Sequence, residues 1–315
     1  MDVAYWICPT SFPPRDAIFV FTAVVSSASL VLNLGILITL CFLTGRTKSY
    51  LIQLRALSAS TVLCSSIGFL NHVVPYEFLP QSPIFGRIVC HLWSSRYIFD
   101  VTYIFSALIL NFLVGSRAIQ ITHGYQYSFS PSLFSDLTYL LILGLSSVLS
   151  ILCQAFVVGW NGMYCMCLEK DIAYWALVSA YMGTFVRFGL AVVISPIILC
   201  ISCYKIIQWV RNTPAEELSD TWNSLVFPGT PAEQMAELIR PRGWMTASMC
   251  TVPLSLNYLA FSLINTMYPF SCAVGWCTFV VNGVSDRIGT LLLYHQLLLF
   301  PIIIAVYIPA LRAPC

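Results

Sequence analysis

The residues of this sequence that could do chemistry are a few charged and aromatic side chains inside long apolar stretches. Arg96, Asp100 and Arg117 share one such stretch. An ionisable residue in an apolar membrane helix usually faces the bundle interior and serves binding or switching. The sequence has no glycine-rich phosphate loop, no nucleophile triad and no metal-spaced cluster of His and Cys. It therefore predicts neither an enzyme nor a cofactor or metal site.

Apolar segments account for most of the chain and must position these side chains. The 315 residues are 58% hydrophobic and only 9% charged, whereas a soluble domain carries about 25% charged residues. A helix crosses a bilayer with about 20 apolar residues, and backbone inside lipid must satisfy its own hydrogen bonds. The sequence therefore predicts an all-α membrane protein, with one domain over 1–315 that forms a seven-transmembrane helix bundle. The predicted spans are 17–43, 51–74, 88–116, 136–160, 182–209, 244–268 and 287–309.

The basic residues and the cysteines predict which end of the bundle faces outside. Lys and Arg in short loops favour the cytoplasmic side, and they are in moderate excess there if the N-terminus lies outside. Six of the 13 cysteines then fall on the outer side, where an even number is consistent with disulfides. They are Cys8, Cys90, Cys165, Cys167, Cys272 and Cys277. No basic run indicates nucleic-acid binding, so the expected surrounding is the lipid bilayer.

Polar residues and prolines inside the spans occur in a characteristic order. Asn33 lies in the first span, and Pro196 precedes Tyr204 by eight residues in the fifth. The third, sixth and seventh spans contain Ser116-Arg117-Ala118, Cys250-Thr251-Val252-Pro253 and Phe300-Pro301-Ile302-Ile303-Ile304. These resemble the Asp-Arg-Tyr, Cys-Trp-x-Pro and Asn-Pro-x-x-Tyr motifs of rhodopsin-like G-protein-coupled receptors, and the resemblance covers the whole chain.

The resemblance implies a multi-pass receptor of the plasma membrane that binds an extracellular ligand and activates a heterotrimeric G protein. Several motif residues have changed, so a receptor-like protein without G-protein coupling is an alternative. A seven-span transporter is another, although transporters often show internal symmetry, which is not found in this sequence. The sodium-binding positions of the family are Thr61, Ser106, Gln296 and Phe300 here. With no anionic ligand among them, no sodium site is expected.

The resemblance also implies a switch at the inner end of the bundle. Arg117 has lost the neighbouring acid of the family, and Glu233 or Glu237 near the start of the sixth helix could be its partner. Glu233 is the preferred candidate, unless it only caps its helix. Tyr204 is expected to hydrogen-bond Arg117 or water when the sixth helix swings outward. Pro253 is expected to bend that helix, and Pro301 belongs to the corresponding motif of the seventh.

The family resemblance bears on the disulfides as well. It implies a bond from Cys90 to Cys165 or Cys167, which would hold the long outer loop over the bundle. Cys272 and Cys277 are expected to pair locally in the last outer loop, and Cys8 would then take the remaining partner.

A ligand cavity is expected between the outer ends of the helices. The candidate lining residues are Trp93, Arg96, Tyr97, Asp100, Tyr103, Asn257, Tyr258, Phe261 and Tyr294. Asp100 lies one residue from the position of the amine-binding Asp of the family, which turns the side chain by about 100°. Arg96 and Asp100 have i,i+4 spacing, so an internal ion pair competes with a role as ligand counter-ion. The ligand class, whether peptide, amine or lipid-like, stays open.

Overall fold

The protein is predominantly helical, with 79% of the described residues in helices in the computed structural model. The structure describes residues 4–9, 14–45, 48–73, 82–123, 133–162, 165–169, 172–214, 218, 220–231, 233 and 244–312. The helices are α1 (Ala17–Phe42), α2 (Lys48–Val73), α3 (Pro83–Val89), α4 (Tyr97–Thr122), α5 (Leu133–Ser150), α6 (Tyr174–Phe188), α7 (Ser195–Asn212), α8 (Thr251–Ala273), α9 (Val284–Tyr307) and α10 (Pro309–Arg312). Short strands are β1 (Trp6–Ile7), β2 (Val158–Trp160), β3 (Cys165–Cys167) and β4 (Phe279–Val280).

Among the described residues, six helical segments are long and apolar enough to cross a membrane. They are Ala17–Phe42, Ser49–His72, Pro83–Thr122, Leu133–Phe156, Tyr174–Asn212 and Val284–Tyr307. The helix α8 has 23 residues, which is also long enough, but Asn257, Asn265, Pro253 and Pro269 make it less apolar. The chain is thus an α-helical membrane protein.

Four predicted spans have different boundaries in the structure. The third, predicted over 88–116, is interrupted by the left-handed Arg96, and α4 continues to Thr122. The fourth was predicted to continue to residue 160, but α5 ends at Ser150 and β2 pairs antiparallel with β3 instead. A short apolar run cannot be assigned to strand or helix by periodicity alone, and here the pairing with β3 decides it. The fifth begins at Tyr174 rather than at residue 182. The sixth begins at Thr251 rather than at residue 244 and ends at Ala273.

The helices form a closed bundle with α4 near its centre. Helix α1 packs against α2 and α9, α6 packs against α8, and α8 packs against α9. Helix α4 contacts α2, α5, α7 and α8. Small polar side chains join neighbouring helices in the interior, as where the Ser60 and Ser106 hydroxyls lie 2.7 Å apart and Asn111 Nδ2 donates to Ser195 Oγ at 2.9 Å. Such contacts suit a lipid environment, where an unpaired polar group is costly.

Asn33 compensates for the break that Pro301 makes in α9. A proline has no N–H, so the carbonyl four residues earlier, that of Leu297, loses its helical partner. Asn33 Nδ2 donates to this carbonyl oxygen at 2.9 Å from the neighbouring helix, and it also bonds the Ser29 carbonyl oxygen at 2.8 Å. Two residues noted separately in the sequence therefore form one structural unit that joins α1 to α9.

The variant Asn33→Leu is expected to lower the stability of the purified protein by about 1–3 kcal/mol, since it leaves the Leu297 carbonyl buried and unpaired. The double variant Asn33→Leu/Pro301→Ala should recover part of this loss, because an alanine in place of Pro301 would supply the missing N–H. Thermal melting in detergent measures both. Ser27→Ala, which changes a hydroxyl bonded within α1, is the matched control. Additive effects of the two substitutions would contradict the pairing.

Candidate functional site

One end of the bundle is covalently tied together. The disulfides are Cys90–Cys165, Cys8–Cys167 and Cys272–Cys277. The structure thus selects Cys165 from the two partners that the sequence left open for Cys90. Strand β1 pairs with β4 through Trp6 and Phe279, which joins the N-terminal segment to the loop before α9. The N-terminal segment, the β2–β3 pair and this last loop therefore form one cap over the bundle, which we call the disulfide cap.

An ion pair beside the disulfide cap connects the start of α1 to the start of α9. The Arg287 guanidinium bonds both oxygens of Asp16, with Nη1 2.9 Å from Asp16 Oδ2. This contact holds the pKa of the Asp16 carboxyl below its usual range, and the Phe19 amide adds to the effect. Because this pKa is lowered, the ion pair stabilises the folded protein at neutral pH. This stabilisation is lost only as the pH falls through the acidic range and Asp16 becomes protonated. Asp16 also caps α1 through the Phe19 amide.

Four charged residues below the disulfide cap form two interhelical ion pairs, which we call the outer charge cluster: Arg96, Asp100, Arg187 and Asp286. Arg96 Nη1 lies 3.3 Å from Asp286 Oδ1, and Arg187 Nη2 lies 2.8 Å from Asp100 Oδ2. The expected pair between Arg96 and Asp100 is therefore wrong. Its i,i+4 argument fails because Arg96 precedes α4 in a left-handed conformation, with φ of 63°, after a π-helical turn at Cys90–Ser94.

Polar side chains complete the outer charge cluster. Arg96 Nη2 donates to Thr290 Oγ1 at 2.6 Å, and Arg187 Nη2 donates to Gln154 Oε1 at 2.6 Å. Arg187 lies just before a second π-helical turn, Gly189–Ile194. Such turns occur frequently at functional sites. The sequence alone did not select Arg187, Gln154 or Asp286, because their proximity depends on helix packing between distant segments.

The predicted ligand-binding residues do not share one environment. Tyr103, Asn257 and Tyr258 line a central cavity of about 30 Å³, which accommodates an ordered water but not a ligand. Tyr294 belongs to a separate buried cluster of aromatic and aliphatic side chains, and Trp93 packs against this cluster. Phe261 is half-buried. Tyr97 faces α5, where its hydroxyl donates to the Val148 carbonyl at 3.2 Å. Tyr97 is therefore separate from the expected cavity, whereas Arg96 and Asp100 belong to the outer charge cluster.

The wall of the central cavity also contains the four residues that the sequence comparison with rhodopsin-like receptors aligned with sodium-binding positions. Thr61, Ser106, Gln296 and Phe300 all contribute to its wall. Tyr103 donates to Gln296 Oε1 at 2.9 Å, and Asn257 Nδ2 donates to the Gln296 carbonyl at 2.9 Å. None of the four aligned side chains is charged, so the cavity offers neutral oxygen atoms only.

Arg117 lies fully buried at the opposite end of the bundle. Its Nη2 is 2.9 Å from Asp220 Oδ1, and both side chains are completely shielded from solvent. Its Nε donates to Ser248 Oγ at 2.6 Å, and the guanidinium lies 4.7 Å from the centre of the Trp222 ring. Cation–π contact and hydrogen bonds together compensate for burying the charge.

The chain between α7 and α8 folds back into the bundle to supply these partners. Residues 220–227, which we call the inner plug, bury Asp220, Trp222, Asn223 and Leu225. The Trp222 ring stacks on Tyr50 of α2 at 3.8 Å, which anchors the inner plug to the bundle. It is also joined to the chain after α1, where Thr44 and Val226 exchange two backbone hydrogen bonds of 2.8 Å.

The inner plug also determines where α8 begins. Asn223 Oδ1 accepts from the Ala247 amide and Asp220 Oδ2 from the Ser248 amide, each at 2.8 Å. These side-chain oxygens satisfy N–H groups at the start of a helical segment, as N-caps do. A short 3₁₀ turn, Ser248–Cys250, therefore leads into α8, and Pro253 lies in the first turn of α8 rather than at a bend within a longer helix.

Of two further switch predictions, the one for Glu233 differs from the structure, and the one for Tyr204 concerns an opened bundle and stays a prediction. The carboxylate beside Arg117 is that of Asp220, not Glu233, whose side chain is exposed. Glu237 lies outside the described residues. Tyr204 is 63% exposed on the outside of α7, whereas Arg117 is fully buried inside the bundle. One signal for Asp220 was present in the sequence: Leu218, Trp222, Leu225 and Val226 make this loop segment apolar enough to be buried.

Comparisons with known proteins give no assignment for this chain. No family model and no curated protein sequence matches it.

Proposed function

We propose that this protein is a divergent rhodopsin-like G-protein-coupled receptor of the plasma membrane, with α8 as the additional span that completes seven. The disulfide cap supports an outer location for the N-terminus, because disulfides persist in an oxidising compartment. Arg55, Lys205, Arg211 and Arg312 lie towards the opposite end, as the positive-inside tendency favours. The ligand would enter between the helices from the side of the disulfide cap.

The buried contact between Arg117 and Asp220 is the observation that carries this proposal. It joins α4 to the inner plug and, through Ser248, to the start of α8. A fully buried ion pair contributes little net stability, but a buried charge that has lost its partner is costly. Such a pair therefore suits a contact that is made in a closed state of the inner end and broken in an open one. When the inner end opens, Arg117 would lose Asp220 and become available to a G protein. A ligand that binds the open state better would shift the equilibrium towards it.

Dependence of signalling on Arg117 tests the proposal without a known ligand. Recruitment of a panel of G proteins is measured in cells for Asp220→Asn, which removes the closing contact, and for the double variant Arg117→Ala/Asp220→Asn. We expect recruitment by the first and at least a tenfold lower signal from the second, because Arg117 would contact the G protein directly.

Surface expression of both variants serves as the control for folding. The double variant leaves no charge unpaired, so loss of its signal cannot be attributed to a buried lone arginine. Recruitment by neither variant at normal surface expression would contradict the proposal and favour a receptor-like protein without coupling. Solute uptake driven by an ion gradient would favour a transporter.

A further inference from the structure

We infer that the outer charge cluster binds a small zwitterion, a molecule that carries one carboxylate and one ammonium group, with Arg187 and Asp100 as the residues that bind it. This assignment rests on the proposed function only in that the ligand arrives from the outer side. Accessibility, unused hydrogen-bonding capacity and charge balance within the cluster support it.

The cluster is accessible although it lies between helices. The side chains of Arg187 and Asp100 are 28% and 18% exposed, and those of Arg96 and Asp286 are 34% and 11% exposed. Ion pairs with this degree of exposure contribute little to stability. Two π-helical turns and a left-handed Arg96 are nevertheless maintained around them. Strained backbone of this kind is found preferentially at binding and catalytic sites.

The two ion pairs differ in how completely their polar atoms are used. Arg96 donates from Nη1 to Asp286 and from Nη2 to Thr290, and Asp286 Oδ2 accepts from the Asn282 amide at 3.0 Å. This pair therefore holds α4 and α9 in position. Arg187 instead uses Nη2 for both Asp100 and Gln154.

Arg187 and Asp100 retain polar atoms that a ligand can use. Within the described part of the chain, Nε and Nη1 of Arg187 and Oδ1 of Asp100 have no hydrogen-bond partner. Nε and Nη1 lie on different sides of the guanidinium, so they act as separate donors, and a carboxylate oxygen of the ligand fits Nη1. The free oxygen of Asp100 fits an ammonium group.

Charge balance selects a ligand with both groups. The cluster holds two positive and two negative side chains, so it is neutral as a whole. A purely anionic ligand would compete with Asp100 for Arg187 and leave a negative charge uncompensated, and a purely cationic ligand would do the reverse. A zwitterion that bridges Arg187 and Asp100 leaves no charge unpaired in this half-buried site.

The aromatic residues next to the cluster are packed against one another, and Phe99 and Tyr294 are buried. Phe99 and Tyr103 lie in the turns of α4 beside Asp100, and their rings stack with centroids 6.4 Å apart. The Tyr294 ring meets Phe99 edge-on, one turn of α9 after Thr290. L-Phenylalanine carries both charges, and its amide and N-acetyl derivatives each remove one of them, so it is the probe of choice.

The experiment compares three related probes by calorimetry on the purified full chain in lipid nanodiscs. L-Phenylalanine has both charges, L-phenylalaninamide only the ammonium, and N-acetyl-L-phenylalanine only the carboxylate. We expect L-phenylalanine to bind at least tenfold more tightly than either derivative. Asp100→Asn should weaken L-phenylalanine and L-phenylalaninamide but not the N-acetyl compound, and Arg187→Gln should weaken L-phenylalanine and the N-acetyl compound but not the amide.

Asp16→Asn removes an outer carboxylate of another ion pair and is the matched control, which should bind like the natural protein. The double variant Asp100→Asn/Arg187→Gln keeps the site neutral and should lose the charge preference while staying folded. Binding of no probe, equal binding of all three, or variant effects without the expected sign would overturn the assignment. Since calorimetry involves no G protein, failure here leaves recruitment by Asp220→Asn unaffected, and the reverse also holds.

Discussion

Asp220→Asn is expected to raise basal G-protein recruitment several-fold and to lower the melting temperature of the purified protein. The substitution removes the carboxylate that pairs with Arg117 while keeping the shape of the side chain. Breaking a buried ion pair on one side costs about 3–5 kcal/mol, because the remaining charge is left uncompensated. The same substitution weakens the cap on the Ser248 amide, which favours an open inner end. Recruitment normalised to surface expression and thermal melting measure the two effects.

Glu233→Gln is the matched control for Asp220→Asn. It makes the same type of substitution on the acid that the sequence favoured as the partner of Arg117, and Glu233 is exposed. We expect unchanged basal recruitment and unchanged melting. If Glu233→Gln raised the basal signal and Asp220→Asn did not, the buried pair would not be the closing contact.

Cys90→Ser is expected to lower the stability of the purified protein by about 2–5 kcal/mol and to reduce the amount at the cell surface. The Cys90–Cys165 bond joins positions 75 residues apart, and together with Cys8–Cys167 it anchors β3 above the bundle. Removing it releases β3 from the helix end next to the outer charge cluster. The double variant Cys90→Ser/Cys165→Ser should be no less stable than the single variant, because it leaves no unpaired thiol at this site.

The pairing itself is accessible to mass spectrometry of peptides under non-reducing conditions. Peptides that link Cys90 to Cys165 and Cys8 to Cys167 are expected, and the exchanged pairing would contradict the structure. Cys200→Ser changes a free, exposed cysteine of α7 and should leave both melting and the linked peptides unchanged.

The helical segments and their polar interior were largely predictable from the sequence. Long apolar runs require helices in lipid, and the predicted first, second and seventh spans agree with α1, α2 and α9 within a few residues. Asn33, Arg117 and Pro301 were recognisable as interior residues because polar groups and prolines are costly in such runs. Helix ends were less predictable, since α5 and α8 end or begin where strand pairing or the inner plug supplies hydrogen bonds from distant residues.

By itself, the sequence determined a helical membrane protein with a characteristic order of interior polar residues and a set of cysteines at one end. The helices and the interior polar residues can be predicted because the lipid environment acts on each segment locally. Only the tertiary structure decided which charges meet. The choice of Asp220 over Glu233 for Arg117, and of Asp286 and Arg187 over a local Arg96–Asp100 pair, depends on contacts between distant segments. Sequence spacing describes neighbours on one helix, whereas ion pairs in a bundle form across helices, where packing and backbone breaks set the distances.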